Sequence, residues 1–524
     1  MFRYAALSSM FVCGVTVFCA VAQSVELSGD PVDIGRYRQL FVDDTVIERM
    51  DGVQKTLNQP KKHPGNPVLV PDRPWEGSRV HMYGSVVYDR QADLFKMWYW
   101  AGLGEPTMSG AYATSKDGIH WDKPDLGQSQ FQGSKRNNRV GWMAMGMIYS
   151  PDDPDPGKRY KSIHGRQGAF SADGVNLRVP PESKDIPGAI PSDNVIPFVY
   201  DEQSKRYVAF PKVNLQSAGH ERRSVSVSFS DDFLTWTPVK PILVPDERDD
   251  ELAHKTVAAM RDRIEYDDGP EWHLAQFYGH CGFPYEGMYL GLLWVFDISG
   301  WGAPLWGEKD FVRHPGWGGE DGPMYVQLTS SRDLVNWERV GDRQPFMPLG
   351  AADSYDSGQI YTTNRPIVVG DEIWIYYAGW ECTHGHPIEW ATETDKFPRI
   401  SEAVKRASPR TRATINLATL RLDGWVSVDA GAEEGVLTTR PLRFEGRQLV
   451  LNVVAKGRVS VEILDDAGTT IKGFRADDCD SFSGDAIRHV VQWRGSSDVS
   501  GLASKLVRLR FRLRDAKLYS FAIE

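Results

Sequence analysis

A set of acidic, basic and imidazole side chains recurs just before aromatic strands in this chain. Glu76, Arg79 and His81 stand before the first such strand, and Asp193 before a later one. Asp249, Asp250, Glu251 and His254 lie ahead of another, and Asp353 and Asp356 ahead of the last. A second series, His164, His280, Glu381, His384 and His386, falls in the turns between later strands. Carboxyls drawn from different repeats suit acid/base chemistry, in which one protonated carboxyl assists a leaving group and an ionised partner acts opposite it. Asp193, Glu251 and Asp356 are the expected acid/base residues. Glu76, Arg79, His81, His254, His280, Glu381 and His384 are expected to bind the substrate. A neighbouring arginine or histidine would hold hydroxyl groups or separate the two carboxyl pKa values. Glu381, Cys382, His384 and His386 form the sharpest local cluster. It leaves room for a bound divalent metal, although no spacing repeats a known metal site and no cofactor is required. Each acid also has a plainer reading: Asp before a strand often caps a turn, and Asp249-Asp250-Glu251 could be a solvated loop.

The elements that position these residues are short strands. The 524 residues include 17 Trp, 20 Tyr and 22 Phe beside 49 Gly and 32 Pro, a mixture suited to strands and tight turns rather than long helices. Ser115-x-Asp117-Gly118-x-x-Trp121 returns as Ser171-x-Asp173-Gly174-x-x-Leu177, as Ser230-x-Asp232-x-x-x-Trp236 and as Ser331-x-Asp333-x-x-x-Trp337. Ser and Asp side chains at these offsets can bond nearby backbone N–H groups, so the motif reads as a hairpin turn with a large apolar pin. A second repeat runs through it. Val86-Val87-Tyr88-Asp89, Phe198-Val199-Tyr200-Asp201 and Ile264-Glu265-Tyr266-Asp267 each lead into an aromatic strand, with further openings at Met147 and Ile367. Repeats of this size with several strands each predict propeller blades, five of them between about residues 75 and 434. In that arrangement the loops carrying the acids above open at one end of a central channel. A Trp- and Gly-rich insert over 301–322 stretches the fourth repeat, and Trp301, Trp306 and Trp317 are candidates to stack on a ring.

Beyond residue 435 the texture changes. Val507, Leu509, Phe511 and Leu513 alternate with Arg508, Arg510, Arg512 and Arg514, a period of two that predicts a half-buried strand. The fold class expected is all-β: a five-bladed β-propeller followed by a C-terminal β-sandwich over 435–524, with residues 23–74 packing on the propeller. The arginine face is either solvated or attracts an acidic polysaccharide. At the N-terminus, Arg3, the apolar run from Leu7 to Val21 and Ala20-Val21-Ala22 read as a signal segment over 1–22, giving a secreted or periplasmic chain. The five cysteines then fall to three, too few for a cross-linked fold. A formal net charge of −10 argues against nucleic acid as a partner, and no later stretch predicts stable membrane insertion.

On the repeats, the Ser-x-Asp hairpins and the appended sandwich, the chain resembles the five-bladed propeller glycoside hydrolases, the group of arabinanases, xylosidases and invertases. Leu40-Phe41-Val42-Asp43-Asp44, Pro74-Trp75-Glu76 and Leu518-Tyr519-Ser520-Phe521 resemble, more narrowly, a group of exported bacterial hydrolase-like proteins. The resemblance implies a carbohydrate substrate and hydrolysis between two carboxyls. The arabinanase pattern also places a carboxylate at the start of the second blade, whereas nothing acidic occurs here between Gly127 and Tyr149. No catalytic residue is therefore carried over by position. Two other readings stay open: a metal-dependent polysaccharide lyase built on the histidines, and a non-catalytic glycan-binding propeller.

Overall fold

The structure, a computed structural model, describes residues 29–102, 109–142, 146–190, 196–261, 264, 273–301, 320–352, 354–384 and 413–524. These residues are mostly strand, and the strands follow one another in antiparallel groups. The first group comprises Val80–His81, Val86–Asp89, Leu94–Ala101 and Ser109–Ser115. The second comprises Ile148–Tyr149, Tyr160–His164 and Gln167–Ser171; the third runs from Phe198–Asp201 to Lys240–Leu243. The fourth holds Ala275–Tyr285, Met288–Asp297 and Met324–Ser331, and the fifth holds Gln359–Thr362, Glu372–Trp380 and Ala413–Arg421. Lys61–Lys62 pairs with Thr419 and Ala418 at the outer edge of the fifth group. A segment from before the repeats thus closes the last of them.

The two recurring motifs form these groups by local hydrogen bonding. The Asp89 carboxylate accepts from the backbone N–H groups of Gln91 and Ala92 at 3.0 and 3.2 Å, and Asp201 accepts from Gln203 and Ser204. In each Ser-x-Asp hairpin the Ser hydroxyl accepts the N–H three residues on, and one Asp oxygen accepts the N–H groups two and three residues on. All four Asp residues are exposed. The residue after the Asp takes positive φ: Gly118 and Gly174 at 74° and 76°, but Phe233 and Leu334 at 64° and 67°. Left-handed backbone strains a side-chain-bearing residue. Phe233 and Leu334 are nonetheless buried in the core, and that burial offsets the strain.

Asp249, Asp250 and Glu251 are not in a loop. They lie on the helix Glu247–Met260, where Asp246 caps the N-terminus and Asp249 returns a hydrogen bond to the Asp246 N–H. Acidic residues in its first turn favour the positive end of the helix dipole. Ala253, Val257 and Met260, spaced for one face, are its buried side.

A last sheet joins the two ends of the chain. Val32–Gly35, Gln39–Leu40, Ile47–Asp51 and Val53–Leu57 share it with Val426–Ala430, Gly435–Thr439, Leu449–Asp465 and Val507–Ile523. The division expected near residue 435 cuts across this sheet. Its arginine face is occupied by ion pairs: Arg508 is buried against Glu48, Arg510 and Arg512 meet Glu462, and Arg512 and Arg458 share Glu434. One continuous apolar core links this sheet to the repeats. Buried Trp425 packs against Phe283, Tyr285 and Phe346 with ring centres 5.6 to 5.9 Å away. Cys281 and Cys479 are free thiols.

Candidate functional site

The structure separates the sequence-expected residues into two classes. Glu76 is fully buried within its own turn, where its oxygens accept from the N–H groups of Asp72 and Arg73, the Tyr99 hydroxyl and Lys123 Nζ. Those four donors hold the loop and leave the carboxyl no role toward a substrate. Asp356 is 1% exposed and accepts from Ser354 Oγ at 2.9 Å and the Tyr377 hydroxyl at 3.0 Å, with Lys62 Nζ at 2.6 Å. Lys62 belongs to the outermost strand, so this pair fastens the closing strand instead of facing a channel. Glu251 and His254 are exposed on the helix, and His254 Nδ1 lies 3.0 Å from His273 Nδ1. His280 is buried between Phe210 and Trp337 with its Nε2 at Thr329, and burial lowers its pKa to about 3. Asp193 lies outside the described residues, as do Asp353, His386, Trp306, Trp317 and the side chain of Trp301.

Arg79, His81 and His384 belong to the second class, which does converge, and Glu381 follows Trp380 of that cluster in the chain. The His81 ring lies 5.2 Å from Tyr83 and 5.1 Å from both Trp100 and Trp380. The Arg79 guanidinium stands 5.1 Å over the Trp380 ring, next along the chain to Glu381. Tyr83 reaches Tyr361 at 5.2 Å, Tyr361 reaches Tyr278 at 5.7 Å, and Tyr278 meets His384 at 5.0 Å. The first, fourth and fifth strand groups therefore share one aromatic ring of contacts, and the third joins through Lys212, whose Nζ sits 4.3 Å over Tyr278. Burial, and then the Arg79 charge, lower the His81 pKa to about 3, so its imidazole is neutral at physiological pH.

At the far side of this ring is a carboxyl that the sequence reading missed. Glu320 begins the two-residue strand Glu320–Asp321 and is 1% exposed. Its Oε1 accepts from Gln276 Nε2 at 3.2 Å and its Oε2 from Arg223 Nη2 at 3.4 Å, while Arg223 Nη1 donates to Gln276 Oε1 at 3.0 Å. His384 bridges the two halves: its Nδ1 is 3.4 Å from the Glu320 carbonyl oxygen and its Nε2 3.2 Å from the Tyr278 hydroxyl. Asp321 accepts from Thr383 Oγ1 at 3.1 Å, and the His384 N–H donates to the Gly322 carbonyl at 3.1 Å. Two short segments distant in sequence thus hold one carboxyl beside a cation and an amide, with an imidazole at the backbone of the same residue. Such a set can orient hydroxyl groups and exchange a proton. The signal for Glu320 was its place in Gly319-Glu320-Asp321-Gly322, at the close of the insert.

Among the described residues, no group of three or more His, Cys, Asp or Glu is arranged to hold a metal ion. An open groove of about 740 Å³ lies elsewhere, along the Ser331–Trp337 hairpin and against Asp43 and Asp44. Three of its four acids already have partners: Asp43 holds Arg332, Asp44 holds Lys55 and Asp333 closes its own turn, with Glu338 as the fourth. The aromatic ring with Glu320, and not this groove, has the groups for chemistry.

No family model matches the sequence, and no curated protein matches it. Several solved structures are similar to it at low identity. The GH32 beta-fructofuranosidase BmSUC1 of Bombyx mori is 12% identical over 89% of this chain and 94% of its own, with a TM-score of 0.35. The exo-inulinase of Aspergillus awamori is 11% identical over 86% and 99%, with a TM-score of 0.33. The N-acetylgalactosamine deacetylase of F. plautii is 15% identical over 76% and 96%, with a TM-score of 0.36.

Proposed function

We propose that the chain is an exported glycoside hydrolase with a signal segment over 1–22. Its five-bladed propeller runs from about residue 75 to about residue 425, and a C-terminal sandwich that starts with Val426–Ala430 is completed by the strands between Val32 and Leu57. The observation that carries this reading is Glu320: a buried carboxyl fixed by Arg223 and Gln276 at a ring of aromatic side chains drawn from separate strand groups. Aromatic faces stack on sugar rings, and polar groups at fixed positions among them orient the hydroxyls. Hydrolysis of a glycosidic bond needs a second carboxyl in the opposite protonation state. Asp193 is proposed for that role. Ile190, three residues before it in the sequence, donates its N–H to the carbonyl of Lys212, the residue that covers Tyr278. Glu251 is set aside because it is exposed on a helix, and Asp356 because its ammonium partner comes from the closing strand Lys61–Lys62.

The test is product release from a broad panel of poly- and oligosaccharides, followed by Glu320→Gln and Asp193→Asn. Each substitution is expected to lower turnover by about 100- to 10,000-fold. Wild-type protein that binds glycans but releases no product from any of them would leave a glycan-binding propeller in place of an enzyme. Full activity in Glu320→Gln would refute the assignment of the carboxyl.

A further inference from the structure

Around His81 the structure leaves hydrogen-bonding groups unanswered. His81 Nδ1, Trp100 Nε1 and Trp380 Nε1 are each buried and have no hydrogen-bond partner among the described residues. They come from three strands that meet at one place. His81 pairs with Trp100 across the strands Val80–His81 and Leu94–Ala101, while Arg79 bridges to Ala413, which pairs with Trp380. Both indoles lie with ring centres 5.1 Å from the same imidazole. Buried donors are normally paired, and one left unmade is costly. Three at one seam, where the first strand group meets the last, therefore mark a place completed by something else. Trp100 is only half-buried, so its ring gives the seam an opening.

The chemistry of the missing group follows from the donors. An indole N–H can only donate, and so can the guanidinium of Arg79 on the Trp380 face. A sugar hydroxyl brings a donor of its own into a site rich in donors. A carboxylate brings acceptors alone, and its charge complements Arg79. We infer that the His81–Trp100–Trp380 seam is a subsite for the carboxylate of a uronic acid residue. This inference rests on the proposed glycosidase reading and specifies its substrate class. Tyr83 and Tyr361 connect the seam to Tyr278 and so to Glu320, which places a charged sugar in the same bound chain as the bond to be cleaved. Burial keeps His81 neutral near pH 7, so its Nδ1 can serve as a donor without adding a second charge.

The experiment is equilibrium binding to the full mature protein. The probes are galacturonate and glucuronate oligosaccharides, their methyl esters, neutral counterparts and a sugar sulfate. The uronates should bind at least about tenfold more tightly than their esters, as expected for a charge-assisted contact. Trp380→Phe and Trp100→Phe keep one aromatic ring and remove the N–H together with the five-membered ring that carries it. Each should lower the thermal midpoint through the lost ring volume and weaken uronate binding several-fold more than it weakens ester binding, which isolates the contact to the charge. Equal binding of acid and ester, wild-type uronate affinity in both phenylalanine variants, or binding of the sulfate alone would overturn the subsite. Uronate binding with no glycan turnover would sink the hydrolase reading and leave the subsite standing. Turnover confined to neutral glycans would do the reverse.

Discussion

Replacing Asp356 by asparagine distinguishes a carboxyl that fastens the fold from one that takes part in a reaction. Its oxygens accept from Ser354 and Tyr377 and meet Lys62 at 2.6 Å, with the carboxyl 1% exposed and the lysine side chain 30% exposed. Hydrogen bonds to a buried charged group contribute about 1.5–3 kcal/mol each. Asparagine keeps one acceptor oxygen but turns its NH₂ group either toward Ser354 or toward Tyr377 and Lys62. Removing one partner of a fully buried ion pair costs about 3–5 kcal/mol. Lys62 can still reach water, which brings the expected loss to about 2–4 kcal/mol. Equilibrium denaturation should show that loss as a lowered midpoint with an unchanged slope, while turnover per folded molecule stays near wild type. Adding Lys62→Met should recover about 1 kcal/mol or more, because the stranded ammonium is gone. An unchanged midpoint with lost turnover would refute the structural role and return Asp356 to the chemistry.

Other perturbations test other parts of the fold. The Asp297 carboxyl is fully buried, and burial pushes its pKa up to about 7, with the nearby Asp249 charge acting in the same direction. The folded state therefore holds a proton that the unfolded chain releases near pH 4. Stability should fall as pH rises from about 4 to 7 and level off above, and Asp297→Asn should flatten that slope in denaturation curves. A methyl group at Gly168 would lie 1.8 Å from the Phe233 carbonyl oxygen, so Gly168→Ala should lose more than about 2 kcal/mol or fail to accumulate as folded protein. Leu334→Gly removes the left-handed strain but also a buried side chain. A net loss of about 1–3 kcal/mol is expected, and a gain in midpoint would show that strain dominates at that hairpin.

The legible features of this chain are those whose physics is local. The Ser-x-Asp hairpins and the Asp89 and Asp201 turns were readable because each side chain bonds an N–H within three residues of itself. The helix Glu247–Met260 was readable in principle: Asp246 and Asp249 form its cap, and Ala253, Val257 and Met260 its buried face. Reading Asp249-Asp250-Glu251 for its charges obscured that pattern. The joining of the two chain ends in one sheet was not legible. The pairing of Ile47–Asp51 with Gly435–Thr439 depends on contacts across most of the sequence, and neither strand carries a mark of its partner.

Glu76 and Glu320 show why the site itself was only half visible. Both are glutamates beside an aromatic- and glycine-rich stretch, and both are almost wholly buried. Glu76 faces two backbone N–H groups from its own turn, and the Tyr99 hydroxyl and the Lys123 ammonium then fasten that turn to the rest of the fold. Glu320 faces Gln276 and Arg223 from two other strand groups, in a strand of two residues that sets up no local turn. A carboxyl that completes its own turn explains its burial by the fold. One brought to a guanidinium and an amide by distant strands has its burial explained only by what those strands enclose. Residue type and position are the same in kind for both, so the distinction lies in the donors, and long-range folding alone supplies those of Glu320.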